Sequence, residues 1–331
     1  MTVPQIRPAT PHDLPGIVAL LIQDARERGL LDPLLWRLAA NAPARVETAV
    51  AAALNSSAAS ARELWLVAEH AGRIVGVTHA MTVPVPPIYD GAAGPPGLLL
   101  DDCFTSADAP SGTAEALLVA TEAALRAAGA SNLIASCPAA GPLRPLYQRH
   151  GYEPVTLYLA KHRFSLDAPS PKVRPAGAED VPAIVKLSAQ HRKTLAEVNP
   201  RFWHIHPEAD SRFDAWMRRS LTLKDRDMRV AGVPRVHGYV IAQPCSPLLI
   251  PIAHDVAAIG VIDDFYDADF ATVSAVSNSG SGEDLLAAAE SAFAQRGVDS
   301  ALVVCPAAWP SKISLLERSG YRTAKLWMLR R

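Results

Sequence analysis

The chain has 331 residues, of which 49% are hydrophobic and 20% charged, with a formal net charge of −1. This composition suits a folding globular chain rather than a disordered one, and its length leaves room for two domains. The near-neutral charge argues against nucleic-acid binding driven by a strong positive field, which needs clustered Lys and Arg. No apolar run approaches the roughly 18 residues of a membrane helix, and the opening MTVPQIRPATPHD lacks the apolar stretch of a secretion signal, so the expectation is a cytoplasmic protein without a membrane partner.

In chain order, VPQIRPAT reads as a strand, and PHDLPGIVALLIQDARERG as a helix capped near Thr10 or Asp13 and closed at Gly29. A second helical stretch runs from about Ala44 to Leu54. LWLVAEHAGRIVGVTHAMTV is two apolar runs joined by a Gly-containing turn, the pattern of a hairpin. GLLLDDCF is a further strand, SGTAEALLVATEAALRAAG a helix ending at Gly129, and ASNLIASC a strand. LRPLYQRHG is a short helix and PVTLYLAKHRF a closing strand. The predicted order is β-α-α-β-β-β-α-β-α-β, which favours a mixed α/β sheet with helices on both faces.

The same order is then spelled again. IRPATPHDLPGIVALL from Ile6 lines up with VRPAGAEDVPAIVKLS from Val173, an offset of 167 that also pairs Pro33, Trp36 and Arg45 with Pro200, Trp203 and Arg212. LLLDDCF at Leu98 resembles GVIDDFY at Gly260. LIASCPAAGPLRPLYQRHGY at Leu133 resembles ALVVCPAAWPSKISLLERSGY at Ala301, with Cys137 and Cys305 offset by 168 and Gly151 and Gly320 by 169. A nearly constant offset with small drifts is the mark of a duplicated domain, since a solenoid repeats every 20 to 50 residues or so. SLDAPSPK reads as the linker. The expected units are 1–164, the linker 165–172 and 173–331.

The remaining conspicuous residues point to little chemistry. Cys103, Cys137, Cys245 and Cys305 have no Cys-x-x-Cys spacing and read as small buried hydrophobes. His204-x-His206 lacks further ligand spacing and reads as polar surface rather than a metal site. Trp36 and Trp203 read as core or as pocket lining, and KDRDMR from Lys224 as a solvated turn.

The element order, with LLDD feeding a Gly-containing turn and a long helix and then LYQRHGY, resembles the GNAT superfamily of acyl-CoA-dependent N-acyltransferases, and the likeness covers both halves. The resemblance implies two tandem GNAT-like domains, each with a mixed, largely antiparallel sheet flanked by helices. It implies transfer of an acetyl group from acetyl-CoA to a small-molecule or peptide amine by a protein that is a monomer or homodimer. In that family a loop of pattern Gln/Arg-x-x-Gly-x-Gly/Ala holds the CoA pyrophosphate on backbone N–H groups, as a helix N-terminus with bare glycine can. Here APSGTAEALL keeps Gly112 and Ala114 but has Ala109 at the Gln/Arg position, and SNSGSGEDLL keeps Gly280 and Gly282 but has Ser277 there. By resemblance the cofactor is held by Cys103, Phe104, Ser111, Gly112, Thr113 and Ala114 in one half. Phe265, Tyr266, Ser279, Gly280, Ser281 and Gly282 are their counterparts in the other.

An amine nucleophile with a pKa of about 10.4 must lose a proton, and the leaving thiolate needs one. The resemblance assigns the first task to a strand carboxylate, Asp101 or Asp263, the neighbours Asp102 and Asp264 pointing to the other face. It assigns the second to Tyr147; the later copy has Leu316 there. The competing reading, motivated by the missing Gln or Arg and by Leu316, is a non-catalytic acyl-CoA sensor or interaction module.

Overall fold

The structure is a computed structural model that describes residues 4–55, 63–92, 94–166, 170–274 and 280–330. The first half runs β1 (Gln5–Pro8), α1 (Leu14–Leu31), α2 (Ala42–Leu54), β2 (Glu63–His70), β3 (Arg73–Thr82), β4 (Gly97–Leu99), β5 (Phe104–Thr105), α3 (Thr113–Ala127), β6 (Leu133–Pro138), α4 (Leu143–Arg149) and β7 (Tyr152–His162). The second runs β8 (Val173–Pro175), α5 (Val181–Val198), α6 (Ala209–Ser220), β9 (Asp227–Ala231), β10 (Gly238–Pro244), β11 (Ile259–Asp267), α7 (Ser281–Gln295), β12 (Ser300–Pro306), α8 (Pro310–Arg318) and β13 (Arg322–Arg330). The repeated element order is as read from the sequence. Two differences appear in the first half: α1 runs through Gly29 to Leu31, and the fourth strand is broken into β4 and β5 by a kink in which Cys103 N–H donates to Asp101 O at 2.8 Å. Part of the expected linker, residues 167–169, lies outside the described residues.

Each sheet face is covered. Along β2 the side chains alternate, Trp65 and Val67 packing with α1 and α2 while Leu66 and Ala68 pack with Leu117 of α3, so period-2 alternation places the helices on opposite faces. The four cysteines are free and buried, and Trp36 lies in the interior, its ring 5.5 Å from that of His254.

The halves do not form two separate sheets. One 13-stranded sheet runs β1-β2-β3-β4-β6-β13-β7-β12-β11-β10-β9-β8, with β5 paired beside β3. The final strands have changed places: β13 of the second half lies beside β6, and β7 of the first half beside β12. At the centre Leu157 pairs with Leu326, its own counterpart at the offset of 169, while Cys137 pairs with Leu326 and Cys305 with Leu157. The repeated Cys-Pro-Ala-Ala segment therefore marks where each half accepts the other's last strand. Arg330 of β13 also forms an ion pair with the buried Glu122 of α3, which accepts Tyr152 OH at 2.9 Å.

Candidate functional site

In both halves two parallel strands diverge. β4 and β6 pair only as far as Leu99 and Ala135, and β11 and β12 as far as Ile262 and Val303. Asp101–Asp102 follow the last pair after one residue, Leu100, and Asp263–Asp264 follow it directly, so the candidate carboxylates stand at the mouths of the two splays.

Asp101 does not stand free there. It is buried, forms an ion pair with the fully buried Lys325 of β13, accepts Ser136 Oγ at 2.9 Å, and lies 3.5 Å from Arg28 Nη1. Arg28 Nη2 donates to Asp101 O at 2.5 Å and Arg28 Nε to Asp24 Oδ2 at 2.7 Å, while Lys325 Nζ also donates to Leu249 O at 2.5 Å. Burial opposes ionisation of Asp101, but Lys325 and Arg28 outweigh it and hold the carboxyl below its ordinary value. Burial pushes Asp24 up to about 6. A carboxylate locked between two cations is a poor proton acceptor, and Asp101 here ties the first half to the other half's last strand through Lys325.

Asp102 points elsewhere. Its Oδ1 accepts the N–H of Ile252 at 3.0 Å, and its Oδ2 lies 3.4 Å from His79 Nδ1. His79 stacks on Trp65 with ring centroids 3.9 Å apart. Together they wall a cavity of about 290 Å³ that is closed by Pro247, Leu248 and Ile252 of the second half.

On the other side of the same strand segment lies a crevice lined by Leu99, Cys103, Phe104, Ala114, Leu146 and Tyr147, with a volume of about 10 Å³, room for about one water. Tyr147 is buried there, and burial pushes its phenol well above its ordinary value, which keeps it protonated and able to donate. Two residues before the crevice-lining Ala114, Gly112 has φ +84°, and a Cβ there would meet nothing within 4 Å. The start of α3 is thus open to a close approach by phosphate, and Ser111 and Gly112 are exposed. Thr113 turns inward, its Oγ1 donating to Pro110 O at 2.6 Å. These residues fit a pyrophosphate on backbone donors alone, with Glu115 in the first turn opposing it.

The second half departs from this plan. Lys312 of α8 is fully buried among the rings of Phe265, Phe270 and Trp309, and its Nζ donates to Phe265 O at 2.7 Å. Burial lowers its pKa. The backbone of Phe265, expected to face the cofactor, is thus occupied by the chain's own side chain. Tyr266 is buried against His191, whose pKa burial lowers to about 4. Gly282 packs closely against α8, where a Cβ would come within 3.0 Å of Leu315 Cδ2, whereas Gly280 faces open space. Ser281 Oγ donates to Asp267 Oδ2 at 2.8 Å, and Ser279 lies outside the described residues. Asp263 remains exposed; the surrounding protein and then Asp264 push its carboxyl up to about 7, and Gln243 Nε2 donates to it at 2.7 Å. The position in β7 equivalent to Lys325 is Thr156, which brings no cation. Asp264 accepts Tyr239 OH at 2.5 Å and lies 3.5 Å from His191 Nδ1.

Comparison with solved structures places this architecture. The chain is similar to a GCN5-related N-acetyltransferase from Sphaerobacter thermophilus, at 16% identity and a TM-score of 0.55, covering 99% of this chain and 95% of that one. The fold is that of the GCN5-related N-acetyltransferases. A second GNAT-fold neighbour is the glucosamine N-acetyltransferase region of a fungal multi-domain GH3 β-N-acetylglucosaminidase, at 14% identity and a TM-score of 0.54, where 99% of this chain matches 38% of that one. No protein-family model and no curated protein matches the chain.

Within this GNAT fold, several site residues escape a motif search. Lys325 is a lysine inside the apolar run TAKLWML, and Lys312 stands on the inner side of WPSKISLL. Asp24 and Arg28 are an i,i+4 pair on the buried side of α1. An ionisable residue interrupting an apolar pattern was the available signal in each case.

Proposed function

We propose that the protein transfers an acetyl group from acetyl-CoA to an amine, and that the first half carries the reaction. The observation that supports this reading most directly is Tyr147, a protonated phenol in the crevice beside the β4–β6 splay. The pyrophosphate would sit on Ser111, Gly112 and the first amides of α3, with Ala114 letting the thioester arm pass between α3 and the β4–β5 segment. The crevice must widen for that arm to enter. Tyr147 would then donate to the departing sulfur. In the second half Lys312 fills the equivalent space and Leu316 supplies no proton, so that half would serve as scaffold.

Replacing Tyr147 by Phe should lower turnover about 10²- to 10⁴-fold, the range of a positioned general acid, with acetyl-CoA affinity nearly unchanged. The assay is release of free CoA thiol with a panel of amines; unchanged turnover rejects the role. The second reading, a non-catalytic acyl-CoA-binding module, is favoured by the absence of Gln or Arg at Ala109 and by Glu115 beside the phosphate position. Acetyl-CoA binding without thiol release from any amine would decide for it.

A further inference from the structure

The carboxylate that GNAT resemblance nominates is locked away, yet a buried imidazole, His79 of β3, faces the carboxylate that follows it. His79 Nδ1 faces Asp102 at 3.4 Å, and a carboxylate only accepts, so the neutral ring that satisfies Asp102 carries its proton on Nδ1 and its lone pair on Nε2. His79 Nε2 is buried and lacks a hydrogen-bond partner, as does Trp65 Nε1 beside it. Both residues wall the 290 Å³ cavity between β2, β3 and the Pro247–Ile252 segment. Glu63 stands half exposed at its edge, its Oε2 3.9 Å from His79 Nε2. The remaining wall is apolar, from Leu100, Leu248 and Ile250.

We propose that this cavity between the two halves binds the acceptor, a compact cationic amine with an apolar body, and that His79, held by Asp102, takes the amine's proton. The inference rests on the acyl-transfer reading above and deepens it. Glu63 and Asp102 attract the ammonium, Trp65 adds apolar lining beside His79, and the second half supplies the opposite wall. The ammonium gives one proton to His79 Nε2. Its freed lone pair attacks the thioester carbon, the C–N bond forming as the C–S bond breaks; the amine's second proton leaves with the sulfur as CoA thiol, relayed by Tyr147. His79 then returns its proton to solvent. The titratable and charged groups around His79 are Glu63 on β2, Asp101 and Asp102 after β4 with Arg28 and Lys325 held against Asp101, and Cys103, whose Sγ lies 3.7 Å from His79 O; Pro247–Ile252 contributes none.

The test uses the full chain, with calorimetry of 2-phenylethylamine, benzylamine and cadaverine against the neutral 2-phenylethanol, followed by turnover with acetyl-CoA. The wild type should bind an aromatic amine at least tenfold tighter than the alcohol, and Glu63→Gln should shrink that ratio. Ile250→Trp, which fills the cavity from the second half, should abolish amine binding while leaving acetyl-CoA binding intact. His79→Gln should lower kcat about 100-fold or more with KM little changed, and remove the rise of kcat with pH attributable to a base. A His79→Gln enzyme with wild-type turnover and pH profile overturns the role of His79, and amine affinity unaffected by Ile250→Trp overturns the cavity; in either case acyl transfer itself stands. A wild type that neither binds acetyl-CoA nor releases thiol overturns both.

Discussion

Two aspartates with the same sequence neighbours meet opposite fates, and one residue from the far end of the chain decides it. Lys325 sits against Asp101, whereas its counterpart Thr156 leaves the second half's carboxylate to be pushed up by crowding and by Asp264. Breaking a buried ion pair by removing one partner typically costs about 3–5 kcal/mol, because a charge is stranded. Lys325→Met should therefore lower stability by about that amount in chemical denaturation, and Asp101→Asn in the same chain should recover part of it; additive losses would contradict the pairing. His254 gives a second residue-level test. It is buried beside Trp36, and burial followed by Arg28 lowers its pKa to about 4 from 6.5. Between those values the unfolded chain binds more protons, so this group's contribution to stability is lost as pH falls from about 6.5 to about 4. Asp24 and Asp263, with raised values, work in the opposite direction, so the readout is the difference between wild type and His254→Leu. That variant should lose less stability from pH 7 to pH 5. Little of this was legible in the sequence: the Asp-Asp pairs and Tyr147 could be picked out by resemblance, but which carboxylate is free depends on contacts 224 residues apart.

At the level of elements the sequence was far more legible, because each helix and strand carries its own periodicity and its own stop signals. The order of both halves was readable from apolar spacing and from glycines such as Gly129 and Gly151, which adopt φ of +86° and +79° where helices end. The break between β4 and β5 was not readable, since it comes from tertiary demands on Asp101 and Asp102 rather than from a turn residue. Equally hidden was the difference between α4 and α8, whose starts look alike but deliver Leu143 to an open crevice edge and Lys312 to a closed aromatic cage. If the cage fills the second cleft, acetyl-CoA should bind with a stoichiometry of one per chain. Ala114→Phe, which fills the first crevice, should abolish that binding, and Lys312→Met should leave it unchanged. Two equivalents bound by calorimetry would contradict this assignment.

For the whole molecule, duplication was plain in the sequence but the exchange of final strands was not, because β7 and β13 carry the same alternation wherever they are inserted. The exchange makes each half incomplete by itself: β6 lacks its outer neighbour without β13, and β12 lacks its own without β7. Fragments 1–164 and 171–331 expressed separately should therefore show weak cooperative unfolding, while mixing them should restore one transition and a 1:1 complex by sedimentation. Independent, fully cooperative fragments would contradict the reading.

The exchanged strands also set a timetable during synthesis. While the ribosome is still adding the second half, β6 lacks β13, its neighbour in the finished sheet, and its edge is open to wrong partners, β7 among them. A nascent first half thus cannot reach its finished sheet, and a frameshift near Arg322 would strip the neighbour from β6, a strand encoded almost two hundred codons upstream.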